Sequence, residues 1–431
     1  MRMPGRISAA IEVLTEVFTR HRPASEALKD WGKAHRIAGS SDRHAIGTLV
    51  FDSLRRRNSL SARMGDGRPR ALVLATLRDL WNLTPDEIAA HCIAQHGPGP
   101  LTDAEKTALD RQLRGDLPAY VQGDFPEWLL PSFVRAFGER AAEEGAALAK
   151  RAPIDLRANT LKATRQEVVE ALARFGALAG PLSPLCARIL PPGPDARNTN
   201  VEVEPAHGKG WYEVQDAASQ VAALMSGAKP GEIVADICAG AGGKTLALAA
   251  MMKNEGRLCA HDSDRHRLRP IFERLRRAGA ENVEVIAAEE GDKLTKAGGF
   301  DCVLIDAPCS GSGSWRRKPD AKWRLTAKQL TQRIKDQQQV LERAEKLVKP
   351  GGRLVYITCS VLPEENGDQV RLFLAAHADF ALIPYTEQWR AAIGGEPPVS
   401  ADGSAQTLLL TPASHDTDGF FIAVMKKANS E

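Results

Sequence analysis

The sequence predicts an α/β fold: a doubly wound, Rossmann-like sheet that follows a small α+β insert and an all-helical N-terminal region. From Glu213 onward, short apolar segments alternate with helical patterns, which is typical of a mostly parallel sheet. Residues 1–113 instead carry apolar side chains at helical spacing. Between these regions lie one strand pattern, one helix pattern and a loop-rich stretch. We therefore predict domains at residues 1–120, 126–205 and 206–431.

The helical region is predicted from its apolar stripe and its helix-start signals. Ile7, Ile11, Leu14 and Phe18 share one helix face, and Ser41-Asp42 is expected to cap a later helix. Capping boxes begin at Thr84 and at Thr102. Several arginines follow in this region, and they either contact phosphates or complement helix ends; they are Arg55, Arg56, Arg57, Arg63, Arg68 and Arg70.

The predicted insert begins after the turn-rich segments at residues 96–100 and 115–128. A helix is expected over about 129–150, then a half-buried strand over Ile154 to Leu161. Arg157 and Asn159 lie on the same side of that strand because side chains alternate along it. They either hold nucleic acid or cap an adjacent loop. A capping box at Thr164 opens the next helix.

The composition is that of an ordinary globular protein. The chain has 431 residues, of which 43% are apolar and 26% charged, and its net charge of +3 is too small to identify a partner. Seven unevenly spaced cysteines indicate a reduced, cytoplasmic protein, not a disulfide framework. We find no apolar run of about 18 residues and no cleavable leader, so no membrane insertion is expected.

The segment Glu232 to Thr245, EIVADICAGAGGKT, is the predicted cofactor loop. A strand runs into Gly240, Gly242 and Gly243, and a helix begins at Lys244. The three glycines are expected to adopt positive φ, so that backbone N–H groups can approach an anionic or nucleoside ligand. A phosphate-binding P-loop requires glycine where Cys238 stands. A dinucleotide loop requires glycine where Thr245 stands. An S-adenosylmethionine site remains, against the alternative of a tight connection without ligand.

Polar side chains end the following strands, and ligands of open α/β sheets bind beyond those strand ends. Asp262 is placed for ribose hydroxyls or for capping the next helix, for which Asp264 competes. Glu289 is placed for the adenine. A capping box at Thr326 opens a helix that Pro350-Gly351-Gly352 is expected to stop. The residues expected to converge on one crevice are Asp236, Asp262, Glu289, Asp306, Cys309 and Cys359.

Two of the seven cysteines are candidates for chemistry. Cys309 and Cys359 lie in loops after strands, where a thiolate could form, whereas the other four considered (Cys92, Cys186, Cys259 and Cys302) are expected to be inert and buried. Neighbouring residues do not supply four ligands, so no metal is expected. A thiolate that adds to carbon 6 of a pyrimidine turns carbon 5 into a nucleophile for a sulfonium methyl group. Asp306 is placed to stabilise that adduct near ring N3.

Five motifs resemble the Fmu/Sun-type RNA (cytosine-5)-methyltransferases, the RsmB-like family: DICAGAGGKT, AHDSDRHRL, DAPCSGSGSWRRKPDAKW, YITCSVLPEEN and DGFFIAVMKK. The resemblance implies that Cys359 is the nucleophile and that Cys309 assists product release. It also implies cofactor contacts from Asp262, Asp306 and the loop residues Cys238, Ala239, Gly240, Ala241, Gly242, Gly243 and Lys244. Gly240-Ala241 replaces the usual Ala-Pro, and Glu289 replaces the usual Asp, with Asp292 as its competitor.

The same resemblance implies an RNA substrate, expected to be ribosomal RNA, and a NusB-like helical domain. The target cytidine is expected to be unpaired or flipped, because a ring that is attacked on its face cannot stay stacked. We expect a monomer. The aromatic and basic residues after Cys309 either stack on RNA or pack within the protein; they are Trp315, Arg316, Arg317, Lys318, Lys322 and Trp323. Alternatives are a tRNA or DNA cytosine-5 methyltransferase, and a non-catalytic RNA-binding protein.

Overall fold

The structure is a computed structural model that describes residues 1–111, 117–193, 199–297 and 299–429. Parts of the predicted boundary at 115–128 and of the loop-rich stretch before residue 200 lie outside these residues. Within the described ranges, no helix combines the length and apolar character that a membrane span needs.

The N-terminal region consists of helices that bury a core of their own. The predicted stripe Ile7, Leu14 and its neighbours lies inside that core, and both threonine capping boxes form. The helix expected to be capped by Ser41-Asp42 begins one residue earlier: Gly39 is its N-cap, and Asp42 accepts a hydrogen bond from the Gly39 N–H. The helices are Met3–Arg20, Ala24–Ala34, Ser40–Arg55, Arg57–Met64, Pro69–Asp79, Pro85–Ile93 and Asp103–Asp110.

The middle of the chain forms a small antiparallel sheet with helices around it. Its strands are β1 (Ile154–Ala158), β2 (Leu178–Ala179), β3 (Cys186–Ile189) and β4 (Tyr212–Val214), in the order β2-β3-β1-β4. β1 does not alternate as predicted, because four of its five residues are buried. The helix expected over 129–150 is broken at Gly138, whose φ is 57°. The helices are Ala119–Gln122, Leu130–Phe137, Ala141–Leu148, Arg165–Ala171 and Pro205–Gly208.

The C-terminal region confirms the predicted doubly wound sheet. Its strands are β5 (Ile233–Asp236), β6 (Arg257–His261), β7 (Val283–Ile286), β8 (Phe300–Asp306), β9 (Val348–Thr358), β10 (Phe380–Ile383), β11 (Leu408–Leu410) and β12 (Phe420–Lys427). The order is β10-β12-β9-β8-β5-β6-β7, and β11 pairs with β12. The strands from β5 to β9 are parallel, and β12 runs antiparallel to β9.

Helices cover both faces of this sheet. Val303 and Ile305 of β8 point into one core and Leu304 points into the other, as the two-residue period of a strand requires. The helices are Ala217–Leu224, Gly243–Met251, Arg265–Leu268, Ile271–Ala278, Asp292–Ala297, Pro319–Arg324, Ala327–Glu345, Gly367–Ala376, Tyr385–Ala392 and Pro412–His415.

Two helix predictions in this region were wrong in extent. The helix expected from Asp264 to Gly279 is two helices separated at Pro270, because proline removes a backbone donor. The long helix expected to run to Pro350 ends at Glu345, and Pro350 lies within β9. The residues that follow Glu345 therefore lead into β9, the strand that precedes the loop of Cys359.

Candidate functional site

The glycine loop joins β5 to the helix Gly243–Met251. Gly240 and Gly242 have φ values of 50° and 87°, which residues with a side chain rarely adopt. A Cβ atom on Gly242 would also lie 2.5 Å from Ile271 Cγ1. Gly243 does not share this role: it is the first residue of the helix and has no positive φ, contrary to the prediction for it. Two of the three glycines are thus required by the backbone.

Asp236 lies beneath the loop. It was predicted to line the cleft, and it does not. It is fully buried, and its Oδ2 accepts a hydrogen bond of 2.8 Å from Thr245 Oγ1. Burial raises the pKa of Asp236 to about 7. The carboxyl group therefore braces the start of the helix from the protein side.

Asp264, not Asp262, takes the helix cap for which the sequence made the two acids compete. Asp264 caps the helix Arg265–Leu268 by accepting from the His266 and Arg267 N–H groups. Asp262 Oδ2 accepts from the Gly240 N–H at 2.9 Å. Asp262 thereby ties the end of β6 to the glycine loop at the edge of the cleft.

The cleft beside this loop has a volume of about 790 Å³. Its walls are the ends of β5, β6, β8 and β9 together with one face of the long helix Ala327–Glu345. The predicted residues that line it are Cys238, Asp262, Asp306, Cys309 and Cys359. Such a concave space at the carboxyl ends of parallel strands is where this class of fold binds ligands.

Glu289 does not belong to the cleft. Both Glu289 and its competitor Asp292 are exposed, and neither lines the cavity. Arg343 of the long helix does line it, and its guanidinium donates to the Gly291 carbonyl. The sequence predicted that an acid, Glu289, lines the cleft after β7. In the structure, Arg343 of the long helix lines the cleft instead.

The two candidate cysteines lie next to each other because β8 and β9 are parallel neighbours, with Asp306 opposite Ile357. Cys309 follows β8 and Cys359 follows β9, and their Sγ atoms are 3.4 Å apart. Both side chains are partly exposed to the cleft. The hydrogen bond with Cys359, together with burial, raises the pKa of the Cys309 thiol well above its usual value. The two thiols can therefore act on the same ligand atom or on adjacent atoms.

Glu365 joins the two cysteine loops and was not identified from the sequence. Its buried carboxylate accepts from the Ser310 N–H at 2.7 Å and from the hydroxyl groups of Ser310 and Ser360. Gln337 of the long helix donates to the same carboxylate at 3.1 Å and to the Pro308 carbonyl at 3.0 Å. One carboxylate thus fixes the residue that follows each cysteine.

Lys244 contacts Asp306, a pairing that the sequence did not predict. Lys244 Nζ lies 2.7 Å from Asp306 Oδ2, and the same ammonium lies 5.1 Å from the ring centre of Phe420. Lys244 is buried, whereas Asp306 is part-exposed towards the cleft. The cation keeps the Asp306 carboxylate in place at the cleft edge.

Arg157 and Asn159 do not offer a nucleic-acid surface. Both are buried; Arg157 donates to the Gly243 carbonyl at 2.7 Å, and Asn159 donates to the Gly210 and Ala278 carbonyls. Of the two interpretations left open for them, loop bracing is the one the structure confirms. The insert sheet therefore supports the back of the glycine loop.

The aromatic residues after Cys309 pack within the protein, whereas Arg317 and Lys318 of the same segment are exposed. Trp315 and Lys322 are each 1% exposed, and Arg316 is also buried. Trp323 Nε1 donates to the Leu54 carbonyl, and its ring packs against the core of the helical region. The stacking of Trp315 and Trp323 on RNA was therefore a wrong interpretation. Trp315 stacks on Phe133 in the core of the sheet, and Trp323 connects the segment to the helical region.

The remaining cysteine predictions hold. Cys92, Cys186, Cys259 and Cys302 are buried. In the part of the chain that the structure describes, no group of three or more His, Cys, Asp or Glu side chains could hold a metal ion. The candidate chemistry thus rests on two thiols, one carboxylate and a cleft large enough for a nucleoside.

Comparisons with known proteins give one consistent result. The family described as 16S rRNA methyltransferase RsmB/F matches residues 223–426, and the ferredoxin-like domain of RsmF/B-like methyltransferases matches residues 125–190. The probable ribosomal RNA small subunit methyltransferase B of Synechocystis is 33% identical over 76% of this chain and 70% of its own length. The corresponding protein of Vibrio vulnificus is 30% identical over 97% of this chain and 99% of its own length.

A solved structure agrees with these sequence matches. The methyltransferase homolog protein from Pyrococcus horikoshii is 30% identical, with a TM-score of 0.57, over 72% of this chain and 97% of its own.

Proposed function

The chain belongs to the RsmB/F family of 16S rRNA methyltransferases, and on that premise we propose that it methylates carbon 5 of a cytidine in ribosomal RNA through a covalent adduct of Cys359. The observation that carries this proposal is the pair of thiols, 3.4 Å apart at the ends of β8 and β9, beside Asp306. A pyrimidine that enters this cleft meets a nucleophile and a carboxylate together.

S-adenosylmethionine is the proposed methyl donor, and when bound it would supply an electrophilic methyl group. The fit rests on the cleft beside the glycine loop, which Cys238, Asp262 and Asp306 line. The N–H groups of Gly240 and Gly242 bond to the Asp262 carboxylate and to the Ala239 carbonyl, so the positive φ of these glycines shapes the loop that carries Cys238. Asp262 is the proposed partner of the ribose hydroxyls. Of the loop residues from Cys238 to Lys244, Cys238 is the proposed contact, because residues 239–244 do not line the cleft. Glu289 is left out for the same reason.

The chemistry assigns a role to each side chain. The Cys359 thiolate adds to carbon 6 of the cytosine ring, which places electron density on carbon 5. With the donor bound, carbon 5 would form a bond to its methyl carbon, the methyl C–S bond would break, and the sulfur would leave as a neutral thioether. A base removes the carbon 5 proton, and the electron pair of that C–H bond expels the Cys359 thiolate and restores the ring. We propose that Cys309 assists this release, because its sulfur lies beside Cys359.

Asp306 is proposed to hydrogen-bond N3 of the ring as a carboxylic acid, to give N3 its proton as the adduct forms, and to take that proton back when the Cys359 thiolate leaves. Its pairing with Lys244 supports this role, because the ammonium orients the carboxylate without closing it off from the cleft. The ring must leave any base stack before a thiol can reach its face, so the target cytidine is proposed to be unpaired or flipped. The helical region and the insert are proposed to bind the surrounding RNA as separate domains.

Single replacements of the two cysteines test the proposal. The substrate is a protein-free transcript of small-subunit ribosomal RNA that carries no modifications, and the donor is S-adenosylmethionine with a labelled methyl group. Cys359→Ala should abolish labelling of the RNA, because no adduct can form. Cys309→Ala should accumulate a covalent protein–RNA complex, visible as a slower band on a denaturing gel. Cys92→Ala, a buried thiol of the helical region, is the control and should do neither.

Other results would contradict the proposal in identifiable ways. Full labelling by Cys359→Ala would exclude Cys359 as the nucleophile, and loss of labelling in Cys309→Ala alone would transfer that role to Cys309. If the unaltered protein labels transfer RNA or DNA and leaves ribosomal RNA unlabelled, the substrate class is wrong. Where ribosomal RNA is labelled, bisulfite sequencing of that RNA identifies the methylated cytidine.

A further inference from the structure

A second cavity, of about 470 Å³, lies where the helical region, the insert and the segment after Cys309 meet. Five arginines from these three parts of the chain line it, and we call it the arginine cleft: Arg43, Arg55, Arg151, Arg316 and Arg317. The cavity is separate from the cleft of Cys309 and Cys359, with which it shares no lining residue. Its position is nevertheless close along the chain, because Arg316 and Arg317 directly follow the cysteine loop.

The described wall of the arginine cleft contains no aspartate or glutamate. The carboxylates that pair with its arginines lie behind them: the side chains of Asp52, Asp216 and Asp418 are 3%, 5% and 3% exposed. Four of the five guanidinium groups pair with these three buried carboxylates, which leaves an excess of positive charge on the cavity side. Buried acids of this kind orient arginines without presenting negative charge to a ligand.

The arginines are held in two groups. Asp52 pairs with Arg55 and with Arg151, and so joins the helical region to the start of β1. Asp216 and Asp418 each pair with Arg316 and Arg317. The guanidinium planes are thus fixed before any ligand arrives, which lowers the entropy lost on binding.

Arg43 differs from the other four. It is exposed at the rim, its Nε donates to the Ala38 carbonyl at 3.0 Å, and it makes no ion pair with any described residue. Its terminal nitrogens are therefore available for an anion. The neighbouring wall includes Phe51, Pro191 and Pro192, so an apolar surface lies next to the charge.

We propose that the arginine cleft binds backbone phosphates of the substrate RNA on the side of the cysteine loop that faces the helical region. The inference rests on the proposed function for the identity of the RNA. Guanidinium groups match phosphate oxygens in pairs, and RNA supplies one phosphate for every nucleotide. The apolar patch suits a ribose or base beside the bound phosphate. An acidic peptide offers isolated carboxylates instead, so we assign the site to RNA.

Replacement of Arg43 tests the site with little risk to the fold, because that exposed side chain makes no ion pair with a described residue and its hydrogen bond to the Ala38 carbonyl is a single one. The matched control is Arg36→Gln, an exposed arginine of the same region that does not line the cavity. Binding of the unmodified small-subunit ribosomal RNA transcript is measured at several salt concentrations. Arg43→Gln should weaken binding about threefold to tenfold and lower the salt slope by about 0.7 to 1, as expected for one lost phosphate contact. Arg36→Gln should behave like the unaltered protein.

Steady-state kinetics give a second measurement. Arg43→Gln should raise the KM for RNA and leave kcat unchanged, because Arg43 does not contact the reacting atoms. The double variant Arg43→Gln with Arg151→Gln should lower the salt slope further. Equal affinity and equal slope for Arg43→Gln and Arg36→Gln would overturn the site. A competition experiment gives a second outcome that would overturn the site. If polyglutamate at the same charge concentration displaced the RNA from the unaltered protein but not from Arg43→Gln, the cleft would bind acidic peptide.

The two proposals fail in different ways. If the unaltered protein methylates the transcript while Arg43 has no effect on binding, the arginine cleft is wrong and the proposed function stands. If binding depends on Arg43 but no methyl group reaches the RNA, the proposed function is wrong and the phosphate site stands.

Discussion

At the scale of single residues, Glu365 controls the geometry of the two thiols without contacting either. Its carboxylate bonds to Ser310 and Ser360, each of which directly follows a cysteine. Burial raises the pKa of this carboxyl group, and four donors offset part of that cost. The separation of 3.4 Å between the sulfur atoms therefore depends on a residue outside the cleft.

We expect Glu365→Gln to reduce methyl transfer by at least about tenfold. An amide NH₂ group would replace one acceptor and face donors of Ser310, Ser360 or Gln337, at a cost of about 1–3 kcal/mol in the free energy of unfolding. S-adenosylmethionine affinity should stay unchanged, because Glu365 does not line the cleft. Single-turnover methylation, urea denaturation and calorimetric titration measure the three quantities.

Glu364→Gln is the matched control for that change. Glu364 precedes Glu365 but is part-exposed and accepts from Ser132, away from the cysteine loops. Its variant should retain nearly full turnover. Equal loss of activity in both variants would show that the segment matters as a whole and that Glu365 has no special positioning role.

At the scale of elements, the sequence predicted the sheet well because its signals are local. Gly240 with Gly242, the cysteine at the end of β9 and the capping boxes are each readable within a few residues. The structure of the segment after Cys309 was not readable in this way. Lys322 and Trp323 have the composition of an RNA-binding surface, and only the position of the helical region shows that they contact protein instead.

The same limit applies to the acids at the strand ends. Asp236 and Asp262 both follow the pattern of a cleft residue, and only one lines the cleft. The difference is set by the side of the strand on which each carboxylate lies and by its partner, Thr245 for Asp236 and the Gly240 N–H for Asp262. A local pattern identifies the strand end but does not fix what the side chain contacts.

The glycine loop yields a prediction about an element. We expect Gly242→Ala to weaken S-adenosylmethionine binding at least about tenfold and to lower the free energy of unfolding by about 2–5 kcal/mol. The left-handed backbone costs a residue with a Cβ atom about 1–2 kcal/mol, and the overlap with Ile271 adds about 1–3 kcal/mol. Urea denaturation and calorimetric titration measure the two effects.

Gly231→Ala separates the two causes. Gly231 has a φ of 83°, close to that of Gly242, but a Cβ atom there would meet no atom within 4 Å. Its variant should show only the backbone cost and normal cofactor binding. Suppose that both variants showed the same decrease in the free energy of unfolding and neither bound S-adenosylmethionine more weakly. The contact between the loop and Ile271 would then contribute nothing to cofactor binding.

At the scale of the whole molecule, the helical region is attached to the catalytic sheet through the segment that follows Cys309. Trp323 bonds to Leu54 and packs into the helical core, and Lys322 Nζ donates to the Arg55 carbonyl at 2.9 Å. Arg55 in turn donates to the Arg316 carbonyl. The cysteine loop and the helical region therefore share a continuous set of contacts.

We expect Trp323→Ala to loosen this attachment and cost about 2–4 kcal/mol, because a large, partly buried ring and one hydrogen bond are lost. Scanning calorimetry should resolve two unfolding transitions where the unaltered protein shows one. Trp128→Ala, which removes a ring that is 40% exposed, should keep a single transition. A single unshifted transition in Trp323→Ala would mean that the ring contributes little to holding the regions together.

The position of Trp323 has a practical consequence for truncated forms of the protein. Deleting the first helices would uncover an indole and a desolvated ammonium group only a short way down the chain from Cys309. If such a fragment were inactive, the cause could be a disturbed cysteine loop as well as the loss of RNA binding by the helices. Point substitutions on the outer surface of the helices are the cleaner way to ask what those helices recognise.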